Sequence, residues 1–222
     1  MTKRQGEIPT SNFSYIKSHA AYLYMVYWDN PKNFNSQDFL LKIMRSHGIH
    51  YSEKDFGTEK AAGLLTCRRG KWVVVTNSLH SVAQKRFTIG HELGHYFRHR
   101  DSQSSFFDYR FEDDENNALD TLQEQEANLF SSELIVPEDV LQWMLSNNYS
   151  FYRMKLQLGV STASLGWRIV RYLRENLSFS NYHACRVVKQ FRELSLQKNK
   201  VHSSSLLFEY HGKINSSKHS SG

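Results

Sequence analysis

The chain has 222 residues, 40% of them apolar and 14% aromatic, with a formal net charge of +6. That is enough for one substantial core with room for a small appendage, and its two cysteines, Cys67 and Cys185, stand far apart and read as reduced thiols in or near that core. No run of about 18 apolar residues is present, which argues against a membrane span, and the opening Met1-Thr2-Lys3-Arg4-Gln5-Gly6-Glu7 has no apolar signal core, so the expected location is the cytoplasm.

Residues 1–14 read as a polar, loose start. From Tyr15 to Trp28 aromatic and aliphatic side chains are dense enough for a packed helix, which Asp29-Asn30-Pro31 ends. Ser36 offers an N-cap for a second helix, in which Phe39, Leu40, Ile43 and Met44 recur at helical spacing, and Gly48 stops it. Ile49-His50-Tyr51 is strand-like. Leu64–Cys67 and Trp72–Thr76 read as two strands, joined by a hairpin turn across Arg68-Arg69-Gly70-Lys71.

The stretch Arg86-Phe87-Thr88-Ile89-Gly90-His91-Glu92-Leu93-Gly94-His95-Tyr96-Phe97 follows, and it contains His-Glu-x-x-His. Positions four apart lie on one face of a helix, about one turn apart, so His91 and His95 can hold one metal ion together. Glu92 sits beside the first of them, where a carboxylate can take a proton from metal-bound water. At about 100° per residue Ile89, Leu93, Tyr96 and Phe97 share one face, and His91 and His95 lie on the other with Thr88 beside them. The segment can thus bury one face and offer the other to a cleft. Gly90 and Gly94 fall between the faces and would let another backbone come close. The preceding Trp72–Thr76 is a candidate edge strand for pairing with an extended peptide substrate, or else an ordinary sheet strand.

Residues 101–150 hold twelve acidic residues and one basic, whereas 151–200 hold ten basic and two acidic. This asymmetry fits two surfaces with different partners, or simply two solvated faces. Asp101 to Asn117 has no clear period and reads as a loop near the cleft. There Asp108, Glu112, Asp113, Asp114 and Glu115 would bias the site towards a basic substrate, with a plain solvated loop as the alternative. Leu119 to Ile135 reads as a second functional helix that Pro137 ends. Val140, Leu141, Met144 and Leu145 give the next helix its apolar face. Residues 151–195 are helical and basic. Leu158-Gly159-Val160-Ser161 makes a tight turn with Ser161 as N-cap, and Leu165, Ile169, Val170 and Leu173 follow at helical spacing. Helix, turn, helix is also the layout of a DNA-binding module, in which Arg168, Arg171 and Arg174 could face phosphates. A structural helical pair is the preferred reading. After Gln197 the chain is polar and Ser-rich, and reads as a flexible tail.

Two imidazoles leave zinc short, because a catalytic site takes three protein ligands and keeps a position for water. The helix of residues 119–135 offers Glu124 and Glu126, about 200° apart, so only one can face the ion. Glu124 shares its side with Ala127, Asn128 and Ser131, small residues that allow two helices to approach. Glu126 lies amid Leu119, Leu122, Leu129 and Phe130, a core-facing carboxylate in need of a partner. Phase favours Glu124, with Glu126 as the alternative third ligand.

Arg86 to His95, followed by Glu124-Gln125-Glu126-Ala127-Asn128-Leu129-Phe130 and the Leu134-Ile135-Val136-Pro137 end, resembles the ImmA/IrrE metallopeptidase family. The later Leu158-Gly159-Val160-Ser161 resembles the segment after that family's catalytic core, and the likeness covers roughly residues 40–175. It implies one Zn2+ per chain on His91, His95 and Glu124, with Glu92 as general base. By the gluzincin pattern it implies Asn128 as the group that orients a ligand histidine. Asn stands where many gluzincins have Asp; it still accepts a ring N–H but adds no charge. The fold this implies is α+β: a mostly helical zincin-like core with a small sheet (hairpin about 64–76) and a C-terminal helical subdomain. The expected layout is an N-terminal helical extension over 1–35, the catalytic domain over 36–147, the basic helical subdomain over 148–196 and the tail over 197–222.

The resemblance further implies cleavage of helix-turn-helix transcriptional repressors, basic DNA-binding proteins often found on mobile genetic elements or in stress responses. The rival is a DNA-binding or repressor-sequestering regulator whose metal site is structural or vestigial. An intact Glu92 argues against it, since a structural site needs no base. For the oxyanion, Tyr96, Tyr109 and Tyr152 offer hydroxyls, Tyr96 from the wrong face.

Overall fold

The structure, a computed structural model, describes residues 8–109 and 122–196. Among these, eight helices and a four-stranded sheet make an α+β fold. The chain forms two compact units that divide after Pro137, with Asn30–Phe34 grouped with the later one. Among the described residues no helix is long and apolar enough to cross a membrane.

The earlier unit holds α1 (Thr10–Tyr27), α2 (Ser36–Ser46), β1 (His50–Lys54), β2 (Ala61–Arg68), β3 (Lys71–Asn77), α3 (Val82–His99), β4 (Ser105–Tyr109) and α4 (Leu122–Ile135). Helix α1 begins at Thr10, within the stretch that reads as a loose start. Its first turn is polar, and a tertiary bond holds it: the Asn12 amide donates to the Glu126 carboxylate at 2.6 Å. Beyond that turn α1 buries Ile16, Ala20, Leu23 and Tyr24. Helix α2 is capped by Asn35 rather than Ser36. The Asn35 Oδ1 accepts from the backbone N–H groups of Gln37 and Asp38, and Ser36 becomes a buried first residue of the helix.

The sheet runs β1-β3-β2-β4. Strands β2 and β3 form the expected hairpin, turned by Arg69 and Gly70, both at positive φ (53° and 75°), the backbone that a two-residue turn needs to match strand twist. Strand β1 pairs parallel with β3, so both sides of β3 are taken. Trp72–Thr76 is therefore an inner strand, not the edge that its position before the helix suggested. The outer strand on the other side is β4, antiparallel to β2 with Leu65 opposite Phe106 and Leu64 opposite Phe107. It lies in the acidic stretch read as a loop. Asp, Ser and Asn dominate that stretch and hide a short alternation in which Phe106 is buried and Phe107 is exposed. Residues Glu112–Glu115 lie outside the described residues, as do the first seven residues and the tail from Gln197.

Helix α3 starts at a capping box: Ser81 accepts from the Gln84 backbone, and Gln84 reaches back to the Ser81 N–H. From Thr88 to Tyr96 every residue of α3 is buried, because the sheet covers one flank and α4 the other. The crossing with α4 is close. A Cβ on Gly94 would stand 2.8 Å from the Ala127 Cα, and one on Gly90 would stand 3.0 Å from the Ser131 Cα. Small residues on both helices are what bring the two backbones together.

The later unit holds α5 (Glu138–Ser146), α6 (Phe151–Leu158), α7 (Thr162–Asn176) and α8 (Asn181–Leu194). Gly159 ends α6 in the left-handed conformation, and Ser161 caps α7 by accepting from the Ser164 N–H. Arg168 is fully buried, with its guanidinium 3.7 Å from the Glu138 carboxylate, so it cannot face a phosphate. Its phase places it among Leu165, Ile169 and Tyr172 on the inner face of α7, while Arg174 is exposed.

Candidate metal centre

Helices α3 and α4 supply the donors. The Nε2 atoms of His91 and His95 lie 3.0 Å apart, and the Glu124 carboxylate lies 3.2 Å from the first and 3.3 Å from the second. Three donors held about 2.0–2.2 Å from one tetrahedral ion stand about 3.3 Å from one another. The separations observed, of which His91 takes Glu124 Oε2 and His95 takes Oε1, are close to that value, and the set of two imidazoles and one carboxylate suits zinc. His91, His95 and Glu124 are also the one group of metal-ligating side chains that converges in this way among the described residues. Both histidines are buried, whereas the Glu124 side chain is 37% exposed, so the cluster meets solvent through the carboxylate.

The second candidate, Glu126, is directed elsewhere. Its carboxylate accepts from Asn12, from the Arg98 guanidinium and from His99 at 2.6–3.3 Å, so it has the partners that its burial demands. Asn128 Oδ1 accepts from His91 Nδ1 at 3.0 Å, which turns Nε2 of His91 towards the cluster.

Glu92 faces away from α4, towards the sheet. It is fully buried, and neither carboxylate oxygen has a hydrogen-bond partner. A buried carboxylate without a partner is costly, and one beside a cluster that fits a metal ion is placed to meet a water held there. Strand β2 passes against it. A Cβ on Gly63 would come 2.9 Å from Glu92 Oε1 and 2.3 Å from the Thr88 methyl, so only glycine lets the strand lie this close.

The charges follow from this packing. Burial pushes the Glu92 carboxyl up to about 8, aided by Asp108 and Glu124 and opposed by His91. Burial works against charge on His91, but the bond to Glu124 and the charges of Glu92 and Asp108 overcome it and hold its pKa up at about 9. Burial raises Glu124 too, yet its bonds to the two imidazoles outweigh this and hold it far below the ordinary carboxylate range. Burial lowers His95.

Of the acidic set anticipated beside the cleft, Asp108 on β4 is described, and it is close enough to act on His91, Glu92 and His95. Tyr96 packs against Trp72 and Phe97 with the Arg100 guanidinium over its ring, and Tyr152 belongs to the later unit. The sequence reading passed over Phe106, whose ring stacks on His95 at 4.5 Å, and His99, whose Nδ1 lies 3.1 Å from His95 Nδ1. The signal for His99 was present: it continues the i, i+4 series of His91 and His95.

The family model described as the IrrE N-terminal-like domain, a peptidase family, matches residues 44–170, more than half of the chain. No curated protein matches the sequence. Among solved structures a Mycobacterium tuberculosis transcriptional regulator is similar at 15% identity and a TM-score of 0.47. That likeness covers 69% of this chain and 46% of the regulator, so the chain spans less than half of that protein's length.

Proposed function

This chain belongs to the peptidase family of the IrrE N-terminal-like domain, and from that premise we propose that it is a zinc-dependent endopeptidase acting on a protein substrate. One observation carries the reading: His91, His95 and Glu124 converge at 3.0–3.3 Å beside the buried carboxylate of Glu92, which has no hydrogen-bond partner. A structural metal site has no use for such a carboxylate, since it only adds an uncompensated burial cost.

His91, His95 and Glu124 would hold one Zn2+, which when bound supplies the Lewis acidity that makes water nucleophilic near neutral pH and polarises a carbonyl. Glu92 takes the proton of the attacking water and passes it to the leaving amine. The burial that raises its proton affinity in the metal-free protein favours uptake of a proton from water. Asn128 orients His91 by accepting its Nδ1 proton.

The substrate strand would pair with β4. Among the described residues no strand covers its outer edge, and Phe106 places that strand against His95. Asp108 on the same strand favours a positively charged segment. This fits a basic helix-turn-helix repressor, the class that the ImmA/IrrE resemblance implies, better than an acidic substrate.

The test incubates the full-length, zinc-loaded chain with helix-turn-helix repressors from the same genome and reads fragments by mass spectrometry. Cleavage that a chelator abolishes and that Glu92→Gln lacks is the expected result. Fragments that persist with Glu92→Gln would overturn the reading.

A further inference from the structure

Beyond the three candidate ligands lies a chain of hydrogen bonds with no place in the mechanism above. His95 Nδ1 is 3.1 Å from His99 Nδ1, and His99 Nε2 is 3.1 Å from Glu126 Oε2. Both His99 and Glu126 are buried. The far end is anchored: Asn12 from α1 donates to Glu126 Oε1 at 2.6 Å, and Arg98 donates to Oε2 at 3.2–3.3 Å. The Arg98 guanidinium is itself held over the Tyr15 ring, 4.7 Å from its centroid.

Proton bookkeeping gives this chain one direction. Glu126 is surrounded by donors: the Asn12 amide holds Oε1, and the Arg98 guanidinium reaches Oε2 through both Nε and an Nη. It can therefore only accept, so His99 must carry its proton on Nε2. A neutral His99 then has a bare Nδ1, and the neighbouring Nδ1 of His95 must donate to it. That puts the His95 proton on Nδ1 and makes Nε2, 3.3 Å from Glu124 and 3.0 Å from His91 Nε2, the nitrogen whose lone pair would meet an ion held there. The opposite tautomer of His95 would set two lone pairs against each other at 3.1 Å and protonate the nitrogen that faces the metal cluster. Phe106, stacked on the His95 ring with an interplanar angle of 20°, fixes the plane in which this happens.

We propose that His99 and Glu126, braced by Asn12 and Arg98, are positioning residues: they lock His95 in the tautomer and orientation that ligate a metal. A ligand histidine commonly gives its second N–H to a carboxylate; here a second imidazole is inserted, and the carboxylate belongs to Glu126, the residue two positions after Glu124 on α4. The inference rests on the metal-site reading of the previous section, and its test separates the two.

Zinc affinity of the full-length chain is measured by competition with a chromogenic chelator, for the wild type, His99→Leu, His99→Gln and His95→Ala. Leucine removes the relay. Glutamine preserves it, because its amide oxygen accepts from His95 and its NH2 donates to Glu126. The relay requires His99→Leu to bind zinc about 10–100-fold more weakly, with His99→Gln recovering most of the loss. A merely structural His99 would lower the unfolding midpoint of the metal-free protein in both variants and leave zinc affinity unchanged, which overturns the relay. If His95→Ala also leaves affinity unchanged, the metal-site reading falls first and the relay goes with it. Should His99→Leu fail to fold, ¹H–¹⁵N correlation of the imidazoles in the zinc-loaded wild type decides. His95 protonated on Nδ1 with His99 protonated on Nε2 is required, and His99 found protonated on Nδ1 alone overturns the proposal.

Discussion

The two flanks of α3 solve opposite problems. On the α4 flank backbone meets backbone at Gly90 and Gly94, buried Glu126 is answered by Arg98, His99 and Asn12, and the partly exposed Glu124 by two imidazoles. On the sheet flank the packing is equally close, at Gly63 against Thr88 and Glu92, but the Glu92 carboxyl has no hydrogen-bond partner. On the function proposed, the first flank would hold the ion and the second would keep the base dry. Ion binding and proton transfer should therefore come apart under mutation.

The largest effects separate the flanks directly. Glu92→Gln should keep one zinc per chain, by elemental analysis and chelator competition, while peptidase rate falls by about 10²–10⁴-fold. Glu124→Ala should instead lose the metal, with an affinity drop beyond the 10–100-fold typical when a group behind a ligand is removed. A Glu92→Gln protein that cannot bind zinc would erase the distinction between the flanks.

Backbone proximity gives the next effect. Gly94→Ala presses a methyl against the Ala127 Cα, an atom that can move only if the helix moves. It should cost about 1–3 kcal/mol in denaturant unfolding and weaken zinc binding as well, because the same two helices carry the donors. Gly63→Ala meets first the Thr88 methyl and the Glu92 carboxylate, which are side chains, and less tightly the Val75 carbonyl at 3.2 Å. Its cost should fall when Thr88→Ser is added, whereas no side-chain change on α4 should relieve Gly94→Ala. Equal behaviour of the two variants in such double-mutant cycles would contradict the contrast.

What the sequence could show follows the same division. The α4 flank was legible because local spacing encodes it: His91 and His95 four apart, glycines at 90 and 94, and small residues in phase with Glu124. The sheet flank is made of pairings distant in sequence. The polar, acidic composition around Phe106 concealed β4, and nothing local revealed that β1 would occupy the outer side of β3. Arg168 shows the same limit in the later unit. A row of arginines three apart looks like a phosphate-facing face until packing buries one of them against Glu138.

The flanks also differ in pH response. In the metal-free protein Glu92 titrates near 4.5 when unfolded and at about 8 when folded, so the folded chain holds the extra proton between those values. Stability must then fall as pH rises through that window. His91, raised from 6.5 to about 9, acts in the same direction between those limits. Glu124, held low, acts in the opposite sense: its contribution is present above the ordinary carboxylate pKa and is lost in acid. Unfolding midpoints of metal-free wild type should decline from pH 5 to pH 8, and those of Glu92→Gln should decline less. An identical slope in the two proteins would mean that Glu92 is not buried as a poised acid.

The smallest effect concerns the two ligand imidazoles, which are supported unequally. His95 leans on buried groups, whereas His91 gives its Nδ1 proton to Asn128, an exposed and neutral amide on the same α4 flank. Water can replace such an acceptor at little cost. Asn128→Ala should accordingly weaken zinc binding by no more than about 10-fold, the low end for groups behind a ligand. Asn128→Asp should tighten binding relative to the wild type, since a carboxylate makes the imidazole a stronger donor to the ion. Chelator competition on the three proteins orders them as Asp, Asn, Ala. The reverse order would mean that His91 is held by the packing of α3 alone and that Asn128 serves only the helix surface.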